Sequence, residues 1–344
     1  MTTTFPVDRG SSTQGSGPAT EPELTAQEAE RHARQFERTA AEIDTAILGK
    51  HDVVRLSLVA LLARGHILLE DVPGLGKTTL ARAVAASVDG SWRRIQFTPD
   101  LLPSDVSGVP VFNQATREFE FHPGPVFANV VIADEINRAS PKTQSALLEV
   151  MEEHQVTVDG VRYAVPDPFL VVATQNPVEM DGTYRLPEAQ LDRFLMRLSL
   201  GYPDSDAELS LMRGGRHRSP EELNPVIDTE QMGELARAAE RMHVPEQVYD
   251  YVLRLAQATR DHAEIRVGLS TRATVVFMRA VRIYALSQGR CFVTPEDVKE
   301  LAVAVWAHRL VRSTDSVVND RSLPELMREV LDREPTPGPT LDET

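Results

Sequence analysis

Two clusters of residues have the types and spacing to do chemistry together. The stretch His66 to Leu80, HILLEDVPGLGKTTL, runs from an apolar triplet (Ile67, Leu68, Leu69) through a glycine loop into a helical pattern that opens at Lys77. The run Asn129 to Glu135, NVVIADE, is a second apolar segment that ends in two acids. Strand, glycine loop and helix in that order form an anion cradle. Gly74 and Gly76 accept backbone conformations closed to other residues, so consecutive N–H groups converge on one point. The positive end of the following helix is aimed at the same place. In such a loop Pro73, Gly74, Leu75, Gly76, Lys77, Thr78 and Thr79 surround the phosphates of ATP, with Lys77 on the β- and γ-phosphates and the Thr78 hydroxyl on Mg²⁺. Asp134 fits a direct or outer-sphere partner of that metal, and Glu135 fits the group that polarises an attacking water.

Taken singly, each cluster has a plain structural reading: a glycine turn, and a strand running into an acidic helix cap. Paired, one supplies phosphate contacts and the other supplies metal and base. One position departs from the GxxxxGK[ST] pattern, because its first place holds Asp71. Two further residues are suggestive. Asn176, in ATQNP, sits where a strand ends, so its amide can orient a water or touch a γ-phosphate; an Asn-Pro turn is the alternative. Arg272 falls in the first turn of a helix capped by Ser270 or Thr271, where a cation opposes the helix dipole. That placement implies either a use elsewhere or a solvated surface position.

The elements that must carry these residues follow from hydrophobic periodicity. Residues 1–24 are rich in Thr, Ser, Gly and Pro and read as a disordered tail. Helical patterns from Thr25 and from Asp52 to Ala63 lead to the loop strand. Strands are expected at Trp92 to Phe97, Asn129 to Glu135, Phe169 to Thr174 and Leu195 to Leu200, with a loop over Thr98 to Gly108. Hairpins are expected over Val109 to Phe121 and around Asp159-Gly160. Ser140-Pro141 starts a helix that ends near Glu153. Alternating strands and helices over 25–203 imply an α/β core with a parallel sheet covered on both faces. After Pro203 the strands stop, and helices over 228–242, 246–261, 271–287 and 295–310 imply a small all-α domain at 204–333. A Pro-rich tail, 334–344, closes the chain.

Bulk properties narrow the function. With 344 residues, 42% hydrophobic and 25% charged, the chain suits a globular protein of about two domains. A net charge of −15 argues against an obligate grip on nucleic acid or an anionic membrane. The single cysteine, Cys291, excludes an intrachain disulfide and a cysteine metal cluster. Neither a membrane span of ~20 apolar residues nor a signal core is evident, so a cytoplasmic location without direct membrane insertion is expected.

Five segments in order resemble the MoxR-type AAA+ ATPases over about 35–312: LLEDVPGLGKT, IQFTPDLLPSDVSG, FHPGPVFANVVIADEINRASPKTQSALLEVMEE, ATQNP and LPEAQLDRF. The resemblance implies an AAA+ P-loop core with hairpin insertions and a helical lid. It assigns Gly74, Gly76, Lys77 and Thr78 to Walker A, Asp134 and Glu135 to Walker B, and Asn176 to sensor 1. Arg193, in LDRF, takes the place of the arginine finger that acts on a neighbouring subunit's ATP. Arg272, in GLSTRA, takes that of sensor 2, where the lid closes on the γ-phosphate. Residues Ile47 to Lys50 lie where such proteins hold adenine, and the two hairpins where insertions face the ring's substrate side. A homo-oligomeric, hexameric ring with Mg²⁺-dependent ATP hydrolysis is implied. So is chaperone-like maturation of a client protein, often with a von Willebrand factor A-domain partner. A magnesium-chelatase-like subunit and a nucleic-acid-dependent motor are the alternatives within the superfamily. A small-molecule P-loop kinase would leave Arg193, Arg272 and a helical lid without a purpose.

Overall fold

The computed structural model describes residues 22–177, 183–213 and 217–338. Strands His66–Glu70, Trp92–Gln96, Val130–Asp134, Leu170–Gln175 and Phe194–Leu198 form one sheet. Across it the order is 194–198, 66–70, 170–175, 130–134, 92–96, and every pairing is parallel. Val130–Asp134 is buried along its whole length, and 66–69 and 170–174 are buried as well. Strands covered on both faces have no solvent side to decorate, which is why they read as continuous apolar runs rather than alternating ones. Ile132 and Val172 pack with helices Ala26–Asp44, His51–Leu62 and Lys77–Ala86. Val131 and Val171 face the other way, onto helix Pro141–Glu153.

Local capping chemistry sets the helix starts. Thr25 and Glu28 form a reciprocal capping box, and the Ser140 side chain accepts from the Thr143 amide with Pro141 in the first helical position. The expected hairpins are present as Gly108–Asn113 with Glu118–Pro123, and Gln155–Val158 with Val161–Ala164. The second turns through Asp159 and Gly160, both at positive φ. Residues 98–108 are not all loop: Pro103–Ser107 is a short helix, started by Pro103 and by Asp105 accepting from the Leu102 amide at 2.9 Å.

Beyond Pro203 the helices Thr229–Glu240, Glu246–Asp261, Thr271–Ser287 and Pro295–Trp306 lie close to their expected spans, followed by Leu323–Arg333. Strands do not stop there altogether. Ile227–Asp228 pairs with Val88–Asp89, and Ile265–Val267 with Val311–Arg312, short edges that backbone periodicity does not reveal. The helical part shares its core with the sheet, since Ile67, Ile132 and Met196 belong to the same cluster as Phe277, Val281, Leu301 and Trp306. Within it the Phe277 and Trp306 ring centroids lie 3.9 Å apart. The ordered chain also extends past both expected tail boundaries. Leu24 is buried and its amide donates to the Arg241 carbonyl at 3.0 Å, and Arg254 donates to the Pro335 carbonyl at 3.0 Å. The rest of both tails, 1–21 and 339–344, lies outside the described residues.

Two buried histidines make this fold sensitive to acid. His66 accepts from the Val171 amide through Nδ1 at 3.0 Å and faces the Met151 carbonyl through Nε2 at 3.1 Å, an arrangement that fits the neutral ring. Burial pushes its pKa down to about 4, and burial likewise pushes His308 down to about 3. Both titrate near 6.5 in an unfolded chain, so unfolding takes up protons below that pH and stability falls with acid. Urea unfolding is therefore expected to lose on the order of 2 kcal/mol per histidine between pH 6.5 and 5, on top of carboxylate effects. An unfolding free energy that is flat over that interval would contradict this.

Candidate active site

The carboxyl ends of all five strands meet on one edge of the sheet, and the glycine loop lies there. Gly74 and Gly76 have φ of 86° and 88°, the left-handed region, and Gly76 caps the helix that begins at Lys77. A Cβ on Gly74 would meet nothing within 4 Å, so the constraint is on conformation and the space above the loop is open. That is a cradle a phosphate can enter. The Lys77 ammonium donates to the Val72 carbonyl at 2.8 Å and to that of Asp71. Asp71, the departure from the loop pattern, is a structural tie. Its carboxylate accepts from the Ser199 hydroxyl at 3.0 Å, the Gly201 amide at 3.1 Å and the Leu200 amide at 2.5 Å. These bonds fasten the start of the loop to the end of the neighbouring strand.

Asp134 is buried at 1% exposure, and both its oxygens are engaged. One accepts from the Thr78 hydroxyl at 3.0 Å and the Thr174 hydroxyl at 3.2 Å; the other accepts from Arg94 Nε at 2.6 Å. Because Thr78 gives its proton to Asp134, its lone pairs are left for a cation, with the carboxylate behind. Oxygen donors in this arrangement suit Mg²⁺. Among the described residues no group of three or more His, Cys, Asp or Glu side chains forms a metal site of its own. Glu135 has φ 56° and ψ 48°, a conformation that costs a non-glycine residue roughly 1–3 kcal/mol. Its amide is anchored on the Thr174 hydroxyl at 2.9 Å, and its carboxylate accepts from Gln96 at 2.8 Å and from Arg138 at 3.0 Å. Asn176 is buried at the end of the strand between the other two, and its carbonyl accepts from Asn137 at 3.1 Å.

Arg193 and Arg272 are together, but not here. Both grip Glu152: Arg193 Nε and Nη2 lie 3.0 and 2.7 Å from one oxygen, and Arg272 Nη1 lies 2.7 Å from the other. The hydrogen bond from Arg272, reinforced by the Arg193 charge, holds the Glu152 carboxyl below its usual range. Glu152 is in the last turn of Pro141–Glu153, where the neighbouring Met151 carbonyl meets His66, the first residue of the loop strand. Arg193 immediately precedes Phe194, the register partner of His66. The arginine pair thus occupies the amino edge of the sheet, a strand length of about 16 Å from the glycine loop. The resemblance places Arg272 on a γ-phosphate; at this edge it stands away from the loop of its own chain.

Residues 66–196 match the ATPase family associated with various cellular activities (AAA), and residues 257–326 match the AAA lid domain. The chain is similar to Chaperone MoxR1 of Mycobacterium tuberculosis (strain ATCC 25618 / H37Rv), 41% identical over 85% of this chain and 79% of the relative. The chain belongs to the MoxR family of AAA+ ATPases. Similarity extends to protein YeaC of Bacillus subtilis (strain 168), 47% identical over 86% of this chain and 92% of the relative. A crystal structure from Cytophaga hutchinsonii ATCC 33406 superimposes with a TM-score of 0.82 at 36% identity, covering 91% of this chain and 98% of that one. In this MoxR-family chain the expected AAA+ core and lid are therefore both present.

Sequence reasoning missed Arg94, Gln96 and Glu152. The first two lie in a mostly exposed edge strand, which comes beside Asp134 and Glu135 only once it is paired. Asp71 is visible in the sequence as an exception without a reason. Replacing it in Asp71→Ala strips two amides and a hydroxyl of their acceptor. The expected loss is about 1–3 kcal/mol of unfolding free energy, with weaker ATP binding. Wild-type stability and affinity in that variant would show that the tie is dispensable.

Proposed function

We propose that this protein is a Mg²⁺-dependent ATP hydrolase that works as a homo-oligomeric ring, each nucleotide site being completed by arginines of the adjacent subunit. One observation carries the reading: the loop with Thr78, Asp134 and Glu135 lies at one edge of the sheet, and Arg193 and Arg272 share Glu152 at the other. Charges that offset a phosphoryl transition state are useless a strand length away within one chain, and useful when the next chain presents them.

In this reading the loop amides of Gly74 to Thr79 bind phosphate oxygens, and Lys77 leaves the carbonyls of Asp71 and Val72 for the β- and γ-phosphates. Thr78, backed by Asp134, holds Mg²⁺, which when bound neutralises charge on the phosphate oxygens. Glu135 takes a proton from the attacking water while Asn176 orients it. Gln96 and Arg138, which hold the Glu135 carboxylate, must release or reposition it for that step. Arg193, with Arg272 beside it, meets the charge developing on the neighbour's γ-phosphate.

The proposed work is remodelling or maturation of a client protein complex. The hairpin 108–123 supports it: Val109, Val111, Phe112 and Phe119 are exposed, with Phe119 at 71%. The rings of Phe112 and Phe119 meet at 5.3 Å on one face. Exposed apolar surface of this kind suits contact with a polypeptide. The chaperone name of the mycobacterial relative points the same way. A six-membered ring and a von Willebrand factor A-domain partner complete the proposal on family grounds, and a cytoplasmic location is proposed with them. The net charge of −15 favours a protein client over nucleic acid.

Two variants test the chemistry. Arg193→Ala is expected to bind ATP with unchanged affinity while turnover falls roughly 10³–10⁵-fold. Glu135→Gln is expected to bind ATP and stay assembled without hydrolysing it. Normal turnover in the first would end the trans-acting role of Arg193, and normal turnover in the second would remove Glu135 as the base.

A further inference from the structure

The segment that carries Arg193 is held by the end of the lid as well as by the sheet. Arg309 follows helix Pro295–Trp306 in a short 3₁₀ turn, and its side chain is only 4% exposed. Its Nε donates to the Asp192 carboxylate at 2.7 Å. Its two terminal nitrogens donate to the carbonyls of Asp192 at 3.1 Å, Phe194 at 3.0 Å, Leu195 at 3.2 Å and Val305. His308 adds a contact from Nε2 to the Phe194 carbonyl at 3.0 Å. The carbonyls on either side of Arg193 are therefore fixed by one buried guanidinium, whose planar fork presents several donors in set directions.

The same part of the lid carries Arg272. Trp306 Nε1 donates to the Ala273 carbonyl at 3.3 Å, and the Trp306 ring packs on Phe277 of the Arg272 helix. Arg309 and Arg272 thus stand on two packed elements, one gripping the backbone beside Arg193 and the other sharing Glu152 with its side chain. A buried guanidinium with five acceptors is an expensive way to join two helices, because the charge must be desolvated and every donor matched. Its geometry makes sense if the placement of Arg193 matters.

We infer that Arg309, acting through Asp192 and the carbonyls around Arg193, is a positioning residue for the arginine finger, so that the lid presents the finger to the neighbouring subunit. The inference rests on the trans-acting reading of Arg193. The end of the lid then sets the finger and Arg272 as one unit, and the nucleotide site that depends on a subunit's lid is its neighbour's.

The test uses the full-length protein with Arg309→Met, which keeps bulk and removes the donors. Turnover is expected to fall about 10²-fold, the scale of a 1 Å misplacement of a catalytic group, with ATP affinity unchanged. The decisive readout is subunit mixing. Lys77→Ala subunits have a disabled nucleotide site and an intact finger; Arg309→Met subunits have the reverse. Mixing the two is expected to raise turnover well above either alone, as is mixing Arg193→Ala with Lys77→Ala. Should Arg309→Met not fold, Asp192→Asn removes the charge pair with less disruption and enters the same mixing. Wild-type turnover in the folded variant would overturn the inference. So would a mixture that fails to recover while the Arg193→Ala mixture does. Failure of the Arg193→Ala mixture would instead locate the error in the trans-acting reading.

Discussion

Five parallel strands place every carboxyl end on one edge of the sheet and every amino end on the other, about 16 Å away. The rest of the site depends on this constraint. The glycine loop, Asp134, Glu135 and Asn176 are all strand-end residues of the first edge. Arg193 precedes a strand, and so belongs to the second edge. Glu152 closes the helix that returns from the first edge to the second, which is why it meets Arg193 there. The phosphate-binding loop and the arginine pair are separated by topology within the chain, and the proposed ring is what would bring them together.

Within the first edge, order comes from a buried carboxylate. Asp134 is removed from water and accepts from Thr78, Thr174 and Arg94, so each neighbour is oriented by a charge it must satisfy. Thr174 in turn anchors the Glu135 amide in its left-handed conformation, and the Glu135 side chain is turned out toward Gln96 and Arg138. A strained residue held by several neighbours, with its carboxylate on exchangeable partners, is suited to a group that must move when nucleotide arrives.

Much of this is legible in the sequence, for a physical reason. The glycine loop, the acid pair after NVVIA, the Ser140-Pro141 helix start and the Asp159-Gly160 turn are all local: each is specified by residues within a few positions of one another. The parallel sheet follows from continuous apolar runs. What escapes depends on partners far along the chain. Glu152 looks like any acid in a helical MEE run until Arg193, 41 residues on, and Arg272, 120 residues on, meet it. Arg309 lies 117 residues from Asp192. Asp71 meets Ser199, Leu200 and Gly201, a strand neighbour that only the sheet order reveals. The resemblance assigns Arg272 to a γ-phosphate without saying whose, and the ion pair with Glu152 puts it at the amino edge of its own sheet.

Hydrolysis between subunits is the central claim. The most direct measurement is ATPase rate per mole of protein across a wide range of protein concentration, with the solution mass followed in parallel with and without ATP. Specific activity is expected to rise with concentration in step with assembly, saturating at the mass of a ring. A constant specific activity from a monomer would contradict the claim, since the arginines at the far edge would then have no part in turnover.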